Sequence, residues 1–193
     1  MAKTMASRRR QVLLFARNFF KHPRMLGSII PSSRFLVSDL MRQIDWRRAR
    51  VVVEYGPGVG NITAEVLKRL RSDGHMVVFE TNDDFVEFLR ASIPDRRLTV
   101  VHGSAADVGR VLAELGLNKA DYVISGIPFS TMPEGVGADI VRATRMSLSP
   151  DGRFLVYQFS RDVLRFLKAE FREIREAFEP LNILPARLYY CTA

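Results

Sequence analysis

At 193 residues and 47% hydrophobic content, the chain can bury one substantial core but not two full-sized domains. A formal net charge of +8 favours partners that carry phosphate, either nucleic acid or an anionic membrane surface, and does not choose between them. A single cysteine, Cys191, excludes an internal disulfide framework and any multi-cysteine metal cluster, so the expectation is a cytoplasmic protein without a metal.

Residues 1–46 read as an N-terminal amphipathic helical arm and residues 47–193 as an α/β body. At about 100° per residue, Val12, Phe15, Ala16 and Phe19 fall on one side of a helix and Arg10, Arg17, Lys21 and Arg24 on the other. The apolar run is broken by Arg17, Asn18 and Lys21, far short of the roughly 18 residues of a membrane span. The expectation is a helix lying in an anionic membrane surface, which makes the protein peripheral on the inner face of the membrane.

In the body, residues 51–54 form an apolar run closed by a Gly/Pro turn, and residues 63–70 carry helical spacing. The pattern repeats: strand 75–80, helix 83–92, strand 98–101, helix 107–115 and a fourth strand 122–125. A helix over about 134–147 is stopped by the turn Pro150-Asp151-Gly152, and a fifth strand covers 153–158. Such alternation predicts a parallel sheet with helices on both faces. Residues 171–178 and 187–192 are joined by a Pro-containing connection too short for a crossover helix, so they pair antiparallel.

The segment Glu54-Tyr55-Gly56-Pro57-Gly58-Val59-Gly60 ends the first strand and opens a helix, so its glycines let the backbone approach a ligand at the carboxyl edge of the sheet. A dinucleotide fingerprint fails because Asn61 stands where a third small residue is needed, and a P-loop fails for want of Gly-Lys-Ser/Thr. Glu54 precedes the glycines and Glu80, followed by Thr81, ends the next strand, where an acid can grip both hydroxyls of a ribose. The third strand runs into Gly103-Ser104-Ala105, a turn that can lie against an adenine ring.

These placements resemble the class I S-adenosylmethionine-dependent methyltransferases. The resemblance implies a Rossmann-like fold of seven strands, mostly parallel, whose C-terminal hairpin inserts the last strand between its neighbours. It also implies S-adenosylmethionine as cofactor, held by Glu54, Gly56, Gly58, Gly60, Glu80, Thr81, Gly103, Ser104 and Ala105.

The fourth strand runs into Ser125-Gly126-Ile127-Pro128-Phe129, where that class commonly places the methyl acceptor. The stretch, together with Gly27-Ser28-Ile29-Ile30-Pro31-Ser32-Ser33-Arg34, resembles the bacterial phospholipid N-methyltransferases. It implies N-methylation of a membrane-lipid amine, phosphatidylethanolamine and its methylated derivatives above all, with Ser125, Gly126, Ile127 and Pro128 at the acceptor and backbone carbonyls orienting the amine. The alternative is an adenine in ribosomal RNA, with nucleic acid as the partner. Adenine methyltransferases carry Asn or Asp followed by two residues and an aromatic there, the polar group holding the exocyclic amine and the aromatic stacking on the base. This sequence keeps Phe129 but presents Gly126 in place of the amide. His22, Asp107, Glu134 and Tyr189 are the candidate proton acceptors, and Arg34, Arg161 and Lys168 the cations offered for a lipid phosphate. Residues 157–160 are offered as lining for the acceptor pocket.

Overall fold

The computed structural model describes residues 33–182 and 184–193; the arm helix expected at 12–19, and His22, lie outside the described residues. Helix α1 (Arg34–Arg42) is capped by Ser33, whose hydroxyl accepts from Leu36 N at 3.2 Å and so satisfies one orphan donor of the first turn. Leu36, Val37, Leu40 and Met41 form its buried side.

Seven strands follow: β1 (Val51–Tyr55), β2 (His75–Glu80), β3 (Leu98–His102), β4 (Ala120–Ser125), β5 (Leu148–Gln158), β6 (Glu173–Glu179) and β7 (Ala186–Thr192). They form one sheet in the order β3-β2-β1-β4-β5-β7-β6. Pairing is parallel from β3 through β5, and β7 runs antiparallel between β5 and β6, as the hairpin reading required. The connecting helices are α2 (Asn61–Arg69), α3 (Asp83–Ser92), α4 (Val108–Glu114), α5 (Val136–Ser147) and α6 (Leu164–Glu170).

The two-residue period of the strands divides the core between two faces. Val53, Tyr55, Val77, Phe79, Val123, Phe154, Val156 and Tyr189 face α4, α5 and α6. Val52, Met76, Val78, Ile124, Leu155 and Leu188 face α1, α2 and the Leu89 side of α3. Helix α1 belongs to the stretch read as the arm, and its apolar side is part of this second core.

Two local readings change. The turn Pro150-Asp151-Gly152 does not precede the fifth strand but interrupts it: Leu148 pairs with Ala120 and Arg153 with Tyr122, so residues 149–152 bulge opposite Asp121 alone. Helix α6, absent from the sequence reading, lies between β5 and β6 and buries Leu167 against the first core.

Strands β1 to β5 end at one edge, and β6, parallel to β5 because both oppose β7, ends there too. Ligand-binding loops of open α/β sheets gather at that edge.

Candidate functional site

The loop after β1 turns on three glycines with φ of +70°, +55° and +77° at Gly56, Gly58 and Gly60, the left-handed region that side chains avoid. Gly56 N donates to Phe79 O at 2.9 Å, which ties the loop to β2. A Cβ on Gly56 would come within 2.8 Å of Ile127 Cγ2, so the missing side chain is what lets this loop lie against the loop after β4. Gly60 opens α2, and a Cβ there would meet Leu89 Cδ2 and Ile93 Cδ1 at 2.8 Å.

Glu54 is 2% exposed, and its Oε2 accepts from Thr63 Oγ1 at 2.6 Å. Burial pushes its carboxyl up to about 8; the Thr63 hydroxyl works against that, and the Glu80 carboxylate adds to it. Glu54 forms no salt bridge among the described residues, so the buried group is a natural seat for a cation supplied from outside the chain.

Glu80 is also buried and is held by three backbone N–H groups: Thr81 N at 2.8 Å and Asn82 N at 3.0 Å on Oε1, and Gly58 N at 3.2 Å on Oε2. Burial raises its carboxyl above the usual range, against the pull of those three donors and of His102. The bond from Gly58 fixes the glycine loop to the end of β2 and leaves Oε2 a second lone pair. Thr81 itself is exposed. Gly103 N donates to Glu80 O at 3.0 Å, Ser104 Oγ accepts from Ala106 N at 3.2 Å, and Ala105 is buried, so the turn after β3 stands beside Glu80. The structure thus brings every residue assigned to the cofactor to one edge, within three adjacent strand ends.

At the end of β4, Tyr55, Ser125 and Val156 share one row of the sheet, and Gly126 and Tyr157 come one step further on. Tyr157 therefore lies on the face of Glu54 and Leu155. Gly126 N donates to Tyr55 O at 3.1 Å. A Cβ on Gly126 would lie 2.9 Å from Tyr157 Cε2 and closer still to the Tyr157 hydroxyl. The phenol occupies the place of a side chain at position 126.

Ser125 is buried, and its hydroxyl has no hydrogen-bond partner among the described residues. Ile127 O accepts from Gln158 Nε2 at 2.7 Å, and Pro128 O from the backbone N–H and hydroxyl of Thr131, both at 3.1 Å. Two of the carbonyls nominated to orient an amine are thus already engaged. Phe129 is 3% exposed and sits in the core against Phe166, with ring centroids 6.3 Å apart.

The remaining nominees are scattered. Asp107 ends a short 3-10 turn and lies 3.6 Å from Arg110; Glu134 is exposed before α5. Tyr189 is buried on the opposite face of the sheet, its phenol raised by burial and by Glu176. Arg161 pairs with Glu176 at 3.1 Å, and Lys168 is exposed on α6. Arg34 lines a cavity of about 850 Å³ between α1 and α2, together with Arg42, Arg69, Met41 and Trp46. Glu54, Glu80 and the acceptor-loop residues do not line it; the carboxylate that does is Glu65. Tyr157 and Gln158 belong to the stretch offered as pocket lining, but their positions against Gly126 and Ile127, like the bond of Thr63 to Glu54, escape a sequence reading, because each depends on which residues meet in the fold.

Among the described residues, no group of His, Cys, Asp and Glu is placed to hold a metal, and no helix is long and apolar enough to cross a membrane.

The profile of the ribosomal RNA adenine dimethylase family matches residues 18–142, more than half of the chain. The ornithine lipid N-methyltransferase of Singulisphaera acidiphila is 37% identical over 186 residues, which cover 92% of this chain and 94% of that one. Ribosomal RNA small subunit methyltransferase A of Mycoplasma mycoides is 28% identical over 113 residues, 56% of this chain but only 40% of the relative. Precorrin-6y C5,15-methyltransferase of Geobacter metallireducens shares the fold, with a TM-score of 0.65 at 16% identity, covering 82% of this chain and 88% of that one. The chain belongs to the ribosomal RNA adenine dimethylase family and is a class I methyltransferase that takes its methyl group from S-adenosylmethionine.

Proposed function

We propose that the enzyme methylates the amine of a membrane-lipid head group. Phosphatidylethanolamine and its methylated derivatives are the expected acceptors, and an ornithine lipid, the substrate in the name of the S. acidiphila relative, is the other amine to assay. The observation that carries this reading is the pair Gly126 and Tyr157: an amide at position 126 would overlap the phenol, so the group that would grip an adenine has no room. Phe129 supports it, because an aromatic packed into the core against Phe166 offers no face to a base.

S-adenosylmethionine supplies an electrophilic methyl on a sulfonium. In this reading the Glu54 carboxylate holds the ammonium of the cofactor, Glu80 its ribose hydroxyls, and the turn Gly103-Ser104-Ala105 the adenine. The glycines at 56, 58 and 60 keep side chains out of the way, and Thr81 supports Glu80 through its backbone N–H. Ser125, Gly126, Ile127 and Pro128 form the wall on the acceptor side.

The chemistry then needs a neutral amine lone pair held in line with the methyl group. A primary amine with a pKa near that of lysine, about 10, is mostly protonated at neutral pH, and desolvation beside a sulfonium favours its neutral form. The Tyr157 oxygen accepts a hydrogen bond from an N–H of the acceptor and so aims the lone pair. The arm, residues 1–46, is proposed to keep the enzyme at the inner membrane face, where such lipids lie.

Tyr157→Phe keeps the ring and removes the oxygen. A hydrogen bond to a charged or partly charged group contributes about 1.5–3 kcal/mol, which is roughly a 10- to 100-fold fall in kcat/KM for a lipid amine. S-adenosylmethionine affinity, measured by calorimetry, should stay within about twofold because the phenol lies over Gly126, on the acceptor side of the proposed site. Unchanged turnover of the Phe variant would remove Tyr157 from the acceptor site.

A further inference from the structure

Four of the large apolar side chains exposed among the described residues flank the turn from β6 into β7: Phe178 (56% exposed) on the sheet face of α4 to α6, Leu181 (61%) and Leu184 (48%) in the turn, and Phe35 (39%) on the face of α1. The first three belong to the end of β6 and the turn into β7. Phe35 joins them because Ser33 N donates to Asn182 Oδ1 at 2.8 Å, which pins the start of α1 to that turn. A grouped apolar surface of this kind is unusual on a soluble face and marks an interaction site.

Its position is informative. The turn lies at the edge where β1 to β5 end, because β6 runs parallel to β5. Gln158 pairs with Arg187 on β7 and donates to Ile127 O on the acceptor loop, so the turn is two strands, roughly 10 Å, from that loop.

The turn is also built to leave water. Leu181 N donates to Glu179 Oε1 at 2.7 Å and the Asn182 amide to Leu184 O at 3.2 Å, so polar backbone groups of the tip are satisfied internally while the leucines point outward. Leu184 takes φ +61°, a conformation a turn usually gives to Gly or Asn, and thereby presents an apolar side chain at a strained position.

Cations border the patch. The Arg34 guanidinium lies 4.8 Å from the Phe35 ring centroid and that of Arg187 5.8 Å from the Phe178 ring centroid. Apolar side chains bordered by arginines match the layered chemistry of an anionic bilayer surface, acyl chains beneath phosphates. A protein partner would share the apolar area but has no reason to demand this charge border.

We propose that the β6–β7 turn and the start of α1 form a membrane contact separate from the helix expected at 12–19, which inserts Phe178, Leu181 and Leu184 into an anionic lipid surface and brings the acceptor edge to the head groups. The choice of a lipid partner rests on the lipid-amine reading. The contact also defines an orientation: the carboxyl edge of the sheet faces the bilayer, and an acceptor amine reaches Tyr157 without its lipid leaving the membrane.

Site-specific fluorescence in the full chain tests this. Leu181→Cys carries an environment-sensitive dye; the native Cys191 is fully buried and stays unlabelled, and Met146→Cys, 68% exposed at the end of α5 near the opposite edge, is the control. Vesicles of phosphatidylcholine with phosphatidylglycerol should shift the Leu181→Cys dye to the blue and leave the Met146→Cys dye unmoved, and vesicles of phosphatidylcholine alone should do much less. The triple variant Phe178→Ser/Leu181→Ser/Leu184→Asn should lose about tenfold or more in affinity for the anionic vesicles. It should keep wild-type methylation of a short-chain amine lipid presented as monomers. No dye shift, or full vesicle binding by the triple variant, would overturn the proposal, as would a shift that follows protein concentration without vesicles, which assigns the patch to a second copy. A dye shift in an enzyme that methylates no lipid amine would support the contact while sinking the substrate reading.

Discussion

Glu54→Gln is expected to weaken S-adenosylmethionine binding about 10²- to 10³-fold, the consequence of removing one partner from the buried ion pair proposed between Glu54 and the cofactor's ammonium. The pH dependence separates this role from a structural one. With the free carboxyl pushed up to about 8, the wild-type site must lose a proton to accept the ammonium of the cofactor. Affinity should therefore rise by roughly tenfold per pH unit below about pH 8, level off there, and fall again as an α-amino group of pKa about 8 deprotonates. Calorimetry in buffers of different ionisation enthalpy would register the released proton, and the Gln variant should lose both the rising limb and the proton.

The same group makes a prediction for the empty protein. An unfolded glutamate gives up its proton near 4.5 and the folded Glu54 only near 8, so between those values the folded state binds more protons and unfolding is favoured as pH rises. The stability of the wild type should decline across that window, by at most about 1.4 kcal/mol per pH unit from this one group, and Glu54→Gln should flatten the decline. A denaturant midpoint for the wild type that climbs from pH 5 to pH 8, or one unaltered in slope by the substitution, would contradict the assignment.

The second large effect is expected at Gly126. Gly126→Asn restores the amide that adenine methyltransferases carry, and the backbone allows it, since Gly126 is not among the positive-φ residues. The new Cβ overlaps the Tyr157 phenol, so the ring must swing out of the acceptor edge. Transfer to a lipid amine should fall by at least about 10²-fold, the loss of the phenol contact compounded by overpacking, which typically also costs about 1–3 kcal/mol of stability. Gly126→Asn/Tyr157→Ala should recover the melting temperature without recovering lipid turnover. An Asn variant with wild-type kinetics would mean that the phenol and the acceptor do not share this space.

The residues proposed to hold the cofactor can be picked out in the sequence because their pattern is local. Three glycines between a strand and a helix, an acid before them and another ending the next strand can be counted along the chain, and the parallel order of the first strands follows from short right-handed crossovers. The acceptor side was legible only in part. Gly126 was visible as a missing amide, but what fills the gap depends on the register of β4 against β5, and the bulge at 149–152 resets that register by an amount no periodicity reveals. Phe129 read as a stacking aromatic because its spacing allowed it; its burial is decided by Phe166 on α6, a short helix that the reading passed over although Val163 and Leu167 carry its apolar spacing. The set of Phe35, Phe178, Leu181 and Leu184 around the β6–β7 turn joins residues nearly 150 positions apart in the chain through the Ser33–Asn182 bond, and no local signal announces it.

Purified enzyme should be given methyl-labelled S-adenosylmethionine with phosphatidylethanolamine and ornithine-lipid vesicles, and in parallel with undermethylated ribosomal RNA. Label in a lipid product, lost with Tyr157→Phe, is the predicted result. Label confined to RNA would contradict it and would require Phe129 to leave the core and Tyr157 to vacate the space over Gly126.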